Sequence, residues 1–384
     1  MIKNVLKILL LVLTLSLYSC REDGVIFIPE HVDVSIPEYT DIKGFYLLNE
    51  GNMGNNKCTL DYYDYEKGEY IRNIYGNANP SVPKELGDVG NDIAIYGDRL
   101  YAVVNCSNKV EVMDVATTKR IGQIDIPNCR YIKFHKGFAY VTSYAGPVEI
   151  RPDYEQLGYV AKVDTATLEV VDECVVGFQP EALDIADGKI YVANSGGYMV
   201  PNYESTVSVI DIEKFKVVDE IEIDINLQYV LCDKNGCMWV TSRGDYYNNA
   251  AKLYCYDLRK KRMVKDLDVA VSDMHLDGDS LYIVSAHWSH ITMTNEVTYG
   301  IVDINLKEKV CDNFIKDGTE KNIRIPYGVT VNSITKDIYV TDAKNYVSPG
   351  TLFCFGKDGI MKWKVRTGDI PAHFAFVGNN VNEK

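Results

Sequence analysis

Positive charge is scarce in this chain of 384 residues. Lys and Arg number 40 together against 54 Asp and Glu, which gives a formal net charge of −14. Nucleic acids and anionic membrane surfaces are bound through basic patches. The charge balance therefore argues against both as binding partners.

Catalytic signatures and helical patterns are also missing. The sequence contains no Gly-x-Ser-x-Gly elbow and no phosphate-binding loop, so nucleophilic hydrolases and P-loop enzymes have no support. Apolar residues keep no sustained helical period.

Tyrosine is the aromatic residue in excess, with 28 residues against 11 Phe and 3 Trp. So many phenol hydroxyls could hardly all find partners in a core, and many tyrosines are expected to be partly exposed.

The first 19 residues have the layout of a secretory signal. Lys3 and Lys7 precede an aliphatic run over residues 8–17 that is too short to span a bilayer. The run leads into "LYSC", which resembles a bacterial lipobox, so we expect Cys20 to be acylated and to begin the mature chain. A plain signal peptide with a cysteine near its cleavage site is the alternative. Several acyl chains on one residue make a stable anchor without a membrane span.

Residues 20–42 are expected to be the lipidated N-terminus and a tether, because they carry prolines and no sustained apolar period. Glu22 and Asp23 follow the cysteine closely, which resembles the surface-export signal of Bacteroides-type lipoproteins. That resemblance implies a protein anchored in the outer membrane and exposed at the cell surface. A solvated linker is the other interpretation of these acids. The folded domain is predicted over residues 43–384.

A repeat dominates the rest of the chain. An aromatic residue opens a short β-branched run seven times, about 49 residues apart on average, at Tyr46, Tyr101, Tyr140, Tyr191, Trp239, Tyr282 and Tyr339. A second register ends six apolar alternations at an aspartate followed by a turn, at Asp64, Asp114, Asp164, Asp211, Asp257 and Asp303. These carboxylates are predicted to accept backbone N–H groups in hairpin turns rather than to act in catalysis.

Each repeat holds four alternating, strand-sized runs separated by turn residues. Seven such units predict an all-β protein, a seven-bladed β-propeller with four antiparallel strands per blade. The first copy lacks an innermost strand, and the last copy is followed by the extra strand pattern "AHFAFV". We therefore expect the C-terminal strand to join the first blade and close the ring.

The strand pattern resembles the YncE-like propellers, which carry "YVTN"-type strands. "NEGNMGNNKCTLDYYD" and "LGDVGNDIAIYGDRLYAVVN" are similar to the opening of Bacteroides surface lipoprotein propellers. That group includes proteins that capture vitamin B12 and pass it to a TonB-dependent transporter of the outer membrane. The resemblance implies a corrinoid as bound ligand rather than cofactor, and such a transporter as partner.

Length variation falls on one predicted face of the propeller, which receives the connections between second and third strands: residues 143–159, 194–205, 242–251, 285–299 and 342–350. Long loops on a rigid scaffold usually carry recognition. The side chains expected around this rim are Tyr144, Tyr154, Asn194, Tyr198, Met199, Tyr203, Tyr246, Tyr247, Asn248, Asn249, Trp288 and Tyr346. They suit a large ligand with apolar faces and amide edges such as a corrinoid, and equally a sugar chain or a protein. Alternatively, the tyrosines pack on each other and order the loops.

Residues at the start of the innermost strands are expected to converge at the channel mouth: Asn91, Arg130, Tyr131, Glu181, Gln228, Asp273, Tyr327 and His373. The Arg130 guanidinium suits amide oxygens or a phosphodiester, and an internal pair with Glu181 is the alternative. An enzyme, such as a polysaccharide lyase or hydrolase, would need paired acids such as Glu181 and Asp273 across the channel. A scaffold that binds only proteins is the third hypothesis.

Histidine and cysteine give weaker indications. His287 and His290, with His275 and His373 on inner strands, do not make a metal site without a third ligand at defined spacing, and no metal is predicted. Nine cysteines remain besides Cys20. Most fall on strands, as small buried residues would. Disulfides between Cys232 and Cys237, or between Cys106 and Cys129, are left open by the spacing.

Overall fold

The computed structural model describes residues 30–36, 41–290 and 293–378 of the chain. Within them lie seven antiparallel sheets, six of four strands and one of five. The predicted seven-bladed β-propeller is therefore confirmed. Cys20 and most of the segment before residue 43 lie outside the described residues, so the acylation of Cys20 stays a prediction.

The innermost strand of each blade lines the central channel, and the second strand packs against it. From blade 1 to blade 7 the innermost strands are β29 (Pro371–Gly378), β5 (Gly90–Tyr96), β9 (Cys129–His135), β13 (Pro180–Ala186), β17 (Leu227–Cys232), β21 (Asp273–Asp277) and β25 (Pro326–Val331). The second strands are β2 (Ile42–Asn49), β6 (Arg99–Val104), β10 (Phe138–Ser143), β14 (Lys189–Asn194), β18 (Cys237–Ser242), β22 (Ser280–Ser289) and β26 (Ile338–Asp342).

The outer half of each blade is made of the third and fourth strands. The third strands are β3 (Thr59–Asp64), β7 (Lys109–Asp114), β11 (Tyr159–Asp164), β15 (Thr206–Asp211), β19 (Lys252–Asp257), β23 (Thr294–Asp303) and β27 (Pro349–Phe355). The fourth strands are β4 (Glu69–Ile71), β8 (Arg120–Asp125), β12 (Glu169–Val175), β16 (Lys216–Glu222), β20 (Arg262–Leu267), β24 (Glu308–Cys311) and β28 (Met361–Asp369). The helical elements of the described residues are short: α1 (Ile74–Ala78) and two 3-10 turns, Asn105–Ser107 and Thr319–Asn322.

The two repeat registers have separate structural roles. The aromatic residue of each repeat lies on the second strand and packs between blades, and Tyr101, Trp239 and Tyr339 are at most 1% exposed. The aspartate that ends six of the seven third strands accepts backbone N–H groups two and three residues further on, as Asp114 does from Ala116 and Thr117. The same pattern occurs at Asp64, Asp164, Asp211, Asp257 and Asp303. The predicted turn role of these carboxylates is confirmed.

The ring closes as expected, because β29 pairs with β2 and becomes the innermost strand of blade 1. Phe45 of β2 is fully buried at this junction. Its ring centroid lies 4.8 Å from that of Tyr339 in blade 7 and 5.4 and 5.5 Å from those of Phe374 and Phe376 in β29. The first and last blades thus share one aromatic core with the closing strand.

The connections differ in length between the two ends of the propeller. The second and third strands are joined through residues 50–58, 105–108, 144–158, 195–205, 243–251 and 343–348 in six of the blades, all at the end that we call the top face. The opposite face carries short turns such as 97–98, 187–188 and 278–279. This matches the predicted asymmetry and places the variable segments around one rim.

Blade 6 departs from the prediction. Residues 285–299 were expected to form a loop, but β22 and β23 pair continuously from Ser280↔Asp303 to Ser289↔Thr294. The alternation of the third strand continues through "TNEVTY", so the ladder extends instead of opening. A β-hairpin therefore projects from the top face, and we call its residues 285–290 and 293–299 the blade 6 arm.

A short strand, β1 (His31–Asp33), lies within the segment assigned to the tether and pairs with the outer strand of blade 1. His31 lies opposite Ile71, the end of β4 that leads into the top-face segment 72–89, while Asp33 lies opposite Glu69. The chain therefore enters the propeller from the top face and runs along blade 1 to the opposite face before β2 begins.

The nine cysteines that the structure describes are all free thiols. Cys232 lies opposite Met238 in the ladder between β17 and β18. The side chain of Cys237 therefore points to the other side of the sheet, which precludes the first disulfide. The second also does not form. Cys129 is buried with its thiol 3.3 Å from the Lys109 carbonyl oxygen, whereas Cys106 contacts the Asn105 side chain.

Candidate functional site

A cavity of about 450 Å³ opens at the centre of the top face, and we call it the mouth cavity. The predicted site residues that line it are Asn91, Arg130, Tyr131, Gln228, Tyr246, Tyr198, Asp273, Tyr327 and His373. The innermost strands and the top-face connections thus bring together side chains that are far apart in sequence. Its volume lies within the range of small-molecule sites in proteins.

The most highly charged part of the wall is an ion cluster around Glu181. Nε and Nη2 of Arg130 lie 3.0 and 2.9 Å from Oε2 of Glu181. Nη2 of Arg243 and the hydroxyl of Tyr144 both donate to Oε1, the latter at 2.7 Å. The internal pairing of Arg130 is therefore present, and it involves a second arginine that sequence reasoning missed.

Both arginines act on the ionisation of this carboxyl group. Burial alone would raise the pKa of Glu181, but the charges of Arg130 and Arg243 and the hydrogen bond from Tyr144 lower it to about 2. Glu181 is 1% exposed and stays ionised, with both oxygens occupied. A carboxylate held in this way is poorly suited to donate a proton as a general acid.

A second polar cluster, formed by Glu50, His373 and Tyr327, links blade 1 to blade 7. Oε1 of Glu50 lies 3.0 Å from Nε2 of His373, and Oε2 accepts a hydrogen bond of 2.9 Å from the Tyr327 hydroxyl. Burial alone would lower the pKa of His373. The hydrogen bond and charge of Glu50, with Asp92 and Asp273, raise it. The protonated form of His373 is therefore more stable here than it would be in a free imidazole.

Below the mouth cavity, the innermost strands carry partly buried acids at Asp92, Asp184 and Asp273. Burial raises the pKa of Asp273 to about 7, against the hydrogen bond that its Oδ2 accepts from the Val329 N–H at 2.7 Å. Asp92 and Asp184 also accept the N–H of a neighbouring innermost strand, from Ile132 and Cys232. Asp273 thus belongs to a set of carboxylates that link adjacent blades.

Exposed aromatic rings lie on the top face of blades 5, 6 and 7. Tyr247 is 60% exposed, Tyr346 41% and Trp288 39%. Tyr247 stacks on His290 with centroids 4.4 Å apart, and Tyr246 stacks on His287 at 5.3 Å. The blade 6 arm is therefore held against the connection of blade 5 by two ring pairs. Tyr203 lies close to Tyr246 and is partly buried.

Four predicted contact residues are buried and do not line the cavity: Glu181, Tyr144, Tyr154 and Asn194. Tyr144 is fully buried and positions Glu181. Tyr154 is 6% exposed, and its hydroxyl packs beside Gly146, 3.3 Å from the Pro147 carbonyl oxygen. Asn194 is fully buried, and its amide nitrogen donates hydrogen bonds to the hydroxyl groups of Thr206 and Ser208. Within these blades the tyrosines and the asparagine order the loops instead of facing a ligand.

The histidines do not converge on one point. In the part of the chain that the structure describes, no three His, Cys, Asp or Glu side chains are grouped so that they could hold a metal ion. His287 and His290 each stack on a tyrosine. Burial lowers the pKa of His275 to about 4, and its Nδ1 lies 3.2 Å from the Thr330 hydroxyl.

Arg243 and Glu50 are the important residues that sequence reasoning missed. Each directly follows the polar residue that ends a second strand, Ser242 and Asn49. Cys106, which follows Asn105, also lines the mouth cavity. An alignment of the repeats on the residue after the second strand would have identified this ring of positions.

The fold and the cavity define the class of protein: a seven-bladed β-propeller with a charged and aromatic cavity on its loop-rich face. A family model described as a domain of unknown function, DUF5074, matches residues 43–351, and the chain belongs to that family. No curated protein sequence matches the chain.

Among solved structures, the chain is similar to the hydrazine synthase of Kuenenia stuttgartiensis. The TM-score is 0.55 at 15% sequence identity, and the match covers 70% of this chain and 77% of that one. At this identity the similarity concerns the fold alone.

Proposed function

We propose that this protein is a lipid-anchored binding protein of the outer membrane that captures a corrinoid at its mouth cavity and passes it to a TonB-dependent transporter. The observation that carries the proposal is the mouth cavity itself, a charged and polar recess on the face that also carries exposed aromatic rings on blades 5, 6 and 7. A preformed recess of this composition is typical of small-molecule recognition. The resemblance of the first two blades to vitamin B12-capturing propellers supports the choice of ligand.

The chemistry of the wall fits a corrinoid in two respects. Asn52, Asn91 and Gln228 line the cavity, and amide side chains suit the amide groups at the edge of a corrin ring. The amide nitrogens of Asn52 and Asn91 already donate to the carbonyl oxygens of Tyr346 and Arg130, so Gln228 is the best placed of the three to contact a ligand. Tyr247, Trp288 and Tyr346 offer exposed flat surfaces on the top face. Because the cavity measures about 450 Å³, a ligand with a corrin ring would enter in part and lie against the rim.

The path of the N-terminal segment supports delivery to a membrane partner. Residue 30 lies at the top face, where β1 begins opposite the end of β4. If Cys20 carries the lipid, the ten residues up to Glu30 span at most about 35 Å. The face with the mouth cavity is then kept near the membrane, where a transporter would receive the ligand. Within the described residues, no helix could itself cross a bilayer.

The enzymatic alternative gains little from the geometry. Glu181 is bound to two arginines and a tyrosine, and Asp273 accepts a backbone N–H of the next blade. A pair of acids for glycoside cleavage needs one proton donor and one free carboxylate facing the substrate. Asp273, whose pKa is raised to about 7, could serve as the proton donor. Glu181 is not a free carboxylate that faces a substrate, so the pair is incomplete and we favour capture over turnover.

The experiment is a calorimetric titration of the purified mature protein with cyanocobalamin, followed by the same titration of the Trp288→Ala variant. Binding at micromolar concentration or tighter, weakened by the substitution, supports the proposal. No heat and no binding would overturn the choice of a corrinoid. Release of products from a panel of polysaccharides would favour the enzyme instead.

A further inference from the structure

Two guanidinium groups in the wall of the mouth cavity share one carboxylate. Arg130 and Arg243 both line the cavity, while Glu181 lies behind them and is 1% exposed. Because Glu181 is ionised, the three side chains together carry one positive charge. A structural ion pair needs only one arginine for each carboxylate, so one positive charge at the cavity wall has no counter-charge within the cluster.

Several donors of this cluster are unused. Within the described residues, Nη1 of Arg130 and Nη1 of Arg243 have no hydrogen-bond partner, and Nε of Arg243 is buried without one. The hydroxyl of Tyr198, close enough to interact electrostatically with both arginines, also lacks a partner there. Nε of Arg243 thus lacks the partner that buried donors normally have. The other three donors are not buried, and they belong to side chains that line the cavity, where an acceptor could reach them.

The cluster is held in place from behind. The Tyr144 hydroxyl donates to Glu181, and the Arg130 guanidinium lies over the Tyr144 ring, 4.8 Å from its centroid. The Asn91 amide is bonded to the Arg130 carbonyl oxygen at 2.7 Å. The two guanidinium groups therefore do not need to reorganise when a ligand arrives, which favours tight binding.

We propose that Arg130, Arg243 and Tyr198 form a binding subsite for a singly charged oxyanion, either a phosphodiester or a carboxylate. Arginine is suited to both, because its donors match two oxygens at once. Glu181 and Tyr144 are positioning residues that orient the guanidinium groups. The inference rests in part on the proposed function, since the nucleotide loop of cobalamin carries one phosphodiester and cobinamide lacks it.

The test uses the mature protein and four probes: cyanocobalamin, dicyanocobinamide, dimethyl phosphate and acetate. We expect cobalamin to bind roughly tenfold to hundredfold more tightly than cobinamide, the effect of one charged hydrogen-bonded group. Arg243→Gln should remove most of that difference. Lys133→Gln is the matched control, because Lys133 lies in the channel but does not line the mouth cavity.

Glu181→Gln should change the affinity for small anions in the opposite direction to Arg243→Gln. It removes the internal counter-charge, so the affinity for dimethyl phosphate or acetate should rise in this variant and fall in Arg243→Gln, with thermal unfolding confirming that both are folded. If Glu181→Gln does not fold, the comparison of cobalamin with cobinamide in wild type and Arg243→Gln decides alone. The small anion that binds more tightly identifies the group as a phosphodiester or a carboxylate.

The outcomes separate the two proposals. Equal affinity for cobalamin and cobinamide, unchanged in Arg243→Gln, would overturn the oxyanion subsite and leave corrinoid capture standing. Binding of dimethyl phosphate or acetate that depends on Arg243, without binding of either corrinoid, would support the subsite and overturn the corrinoid. No binding of any probe overturns both.

Discussion

Arg130 in blade 3 and Glu181 in blade 4 form a buried ion pair, with Nε and Nη2 of the arginine 3.0 and 2.9 Å from one carboxylate oxygen. The pair joins two innermost strands at the channel mouth. Arg130 therefore contributes to stability as well as to the cavity wall. Substitution of Arg130 is therefore expected to lower stability as well as ligand binding.

Arg130→Ala should destabilise the protein by about 3 kcal/mol, because it leaves a buried carboxylate with one arginine fewer. Urea unfolding followed by tryptophan fluorescence measures the change. Lys234→Ala is the control, since Lys234 and Asp279 form an exposed pair at 2.6 Å that should contribute less than about 1 kcal/mol. Equal effects of the two substitutions would contradict the buried role of Arg130.

Trp288→Ala should weaken ligand binding without a change in stability. The ring is 39% exposed at the blade 6 arm, and exposed substitutions usually change the unfolding free energy by less than about 0.5 kcal/mol. Calorimetric titration and urea unfolding test the two halves of the prediction. Ile360→Ala removes an apolar side chain, 45% exposed, from a turn on the opposite face, and should change neither quantity. A matched loss of stability in Trp288→Ala would mean that the ring is part of the packing.

Asp273→Asn should change how stability depends on pH. The folded protein raises the pKa of Asp273 from 3.8 to about 7, so between these values the folded state holds a proton that the unfolded state has lost. Stability from this group therefore falls as pH rises from about 4 to 7. The asparagine does not titrate, and its side-chain oxygen still accepts the Val329 N–H.

The measurement is the unfolding free energy of both proteins in urea at pH 4, 6 and 8. The variant should gain about 2–4 kcal/mol relative to wild type between the lowest and highest pH. A difference that is constant with pH would show that the carboxyl group of Asp273 titrates normally in the channel.

Phe45→Ala should destabilise the closed ring strongly. Phe45 is fully buried and contacts rings of both β29 and blade 7, and truncation of a buried phenylalanine costs about 3–5 kcal/mol. Val347→Ala, at a side chain that is 62% exposed, is the control. Thermal unfolding of the two variants makes the comparison. A small effect at Phe45 would contradict closure of the ring through this aromatic core.

The sequence predicted the architecture well because propeller blades repeat. The aromatic and aspartate registers located the second and third strands, and the pattern around His373 identified the closing strand. Repeats also predicted which face carries the long connections. The blade 6 arm was missed because a strand that continues past its neighbours has the same alternation as an ordinary strand.

The site was harder to predict than the fold. The ladders between innermost and second strands shift register near the top face, as between Pro180 and Leu183 and between Leu227 and Val230. A shift of one residue turns a side chain to the other side of a sheet. The alternation along a strand therefore could not show that Glu181 lies behind the wall while Arg130 faces the cavity. Arg243 reaches the same carboxylate from blade 5, a contact that only the closed ring creates.

Hydrogen–deuterium exchange of the mature protein with and without cyanocobalamin tests the central claim most directly, because it locates binding on the propeller. We predict protection of the top-face segments 195–205 and 243–251 and of the blade 6 arm, with unchanged exchange in the opposite turns at 212–215 and 258–261. Protection confined to those turns, or no protection at saturating ligand, would contradict a ligand site at the mouth cavity.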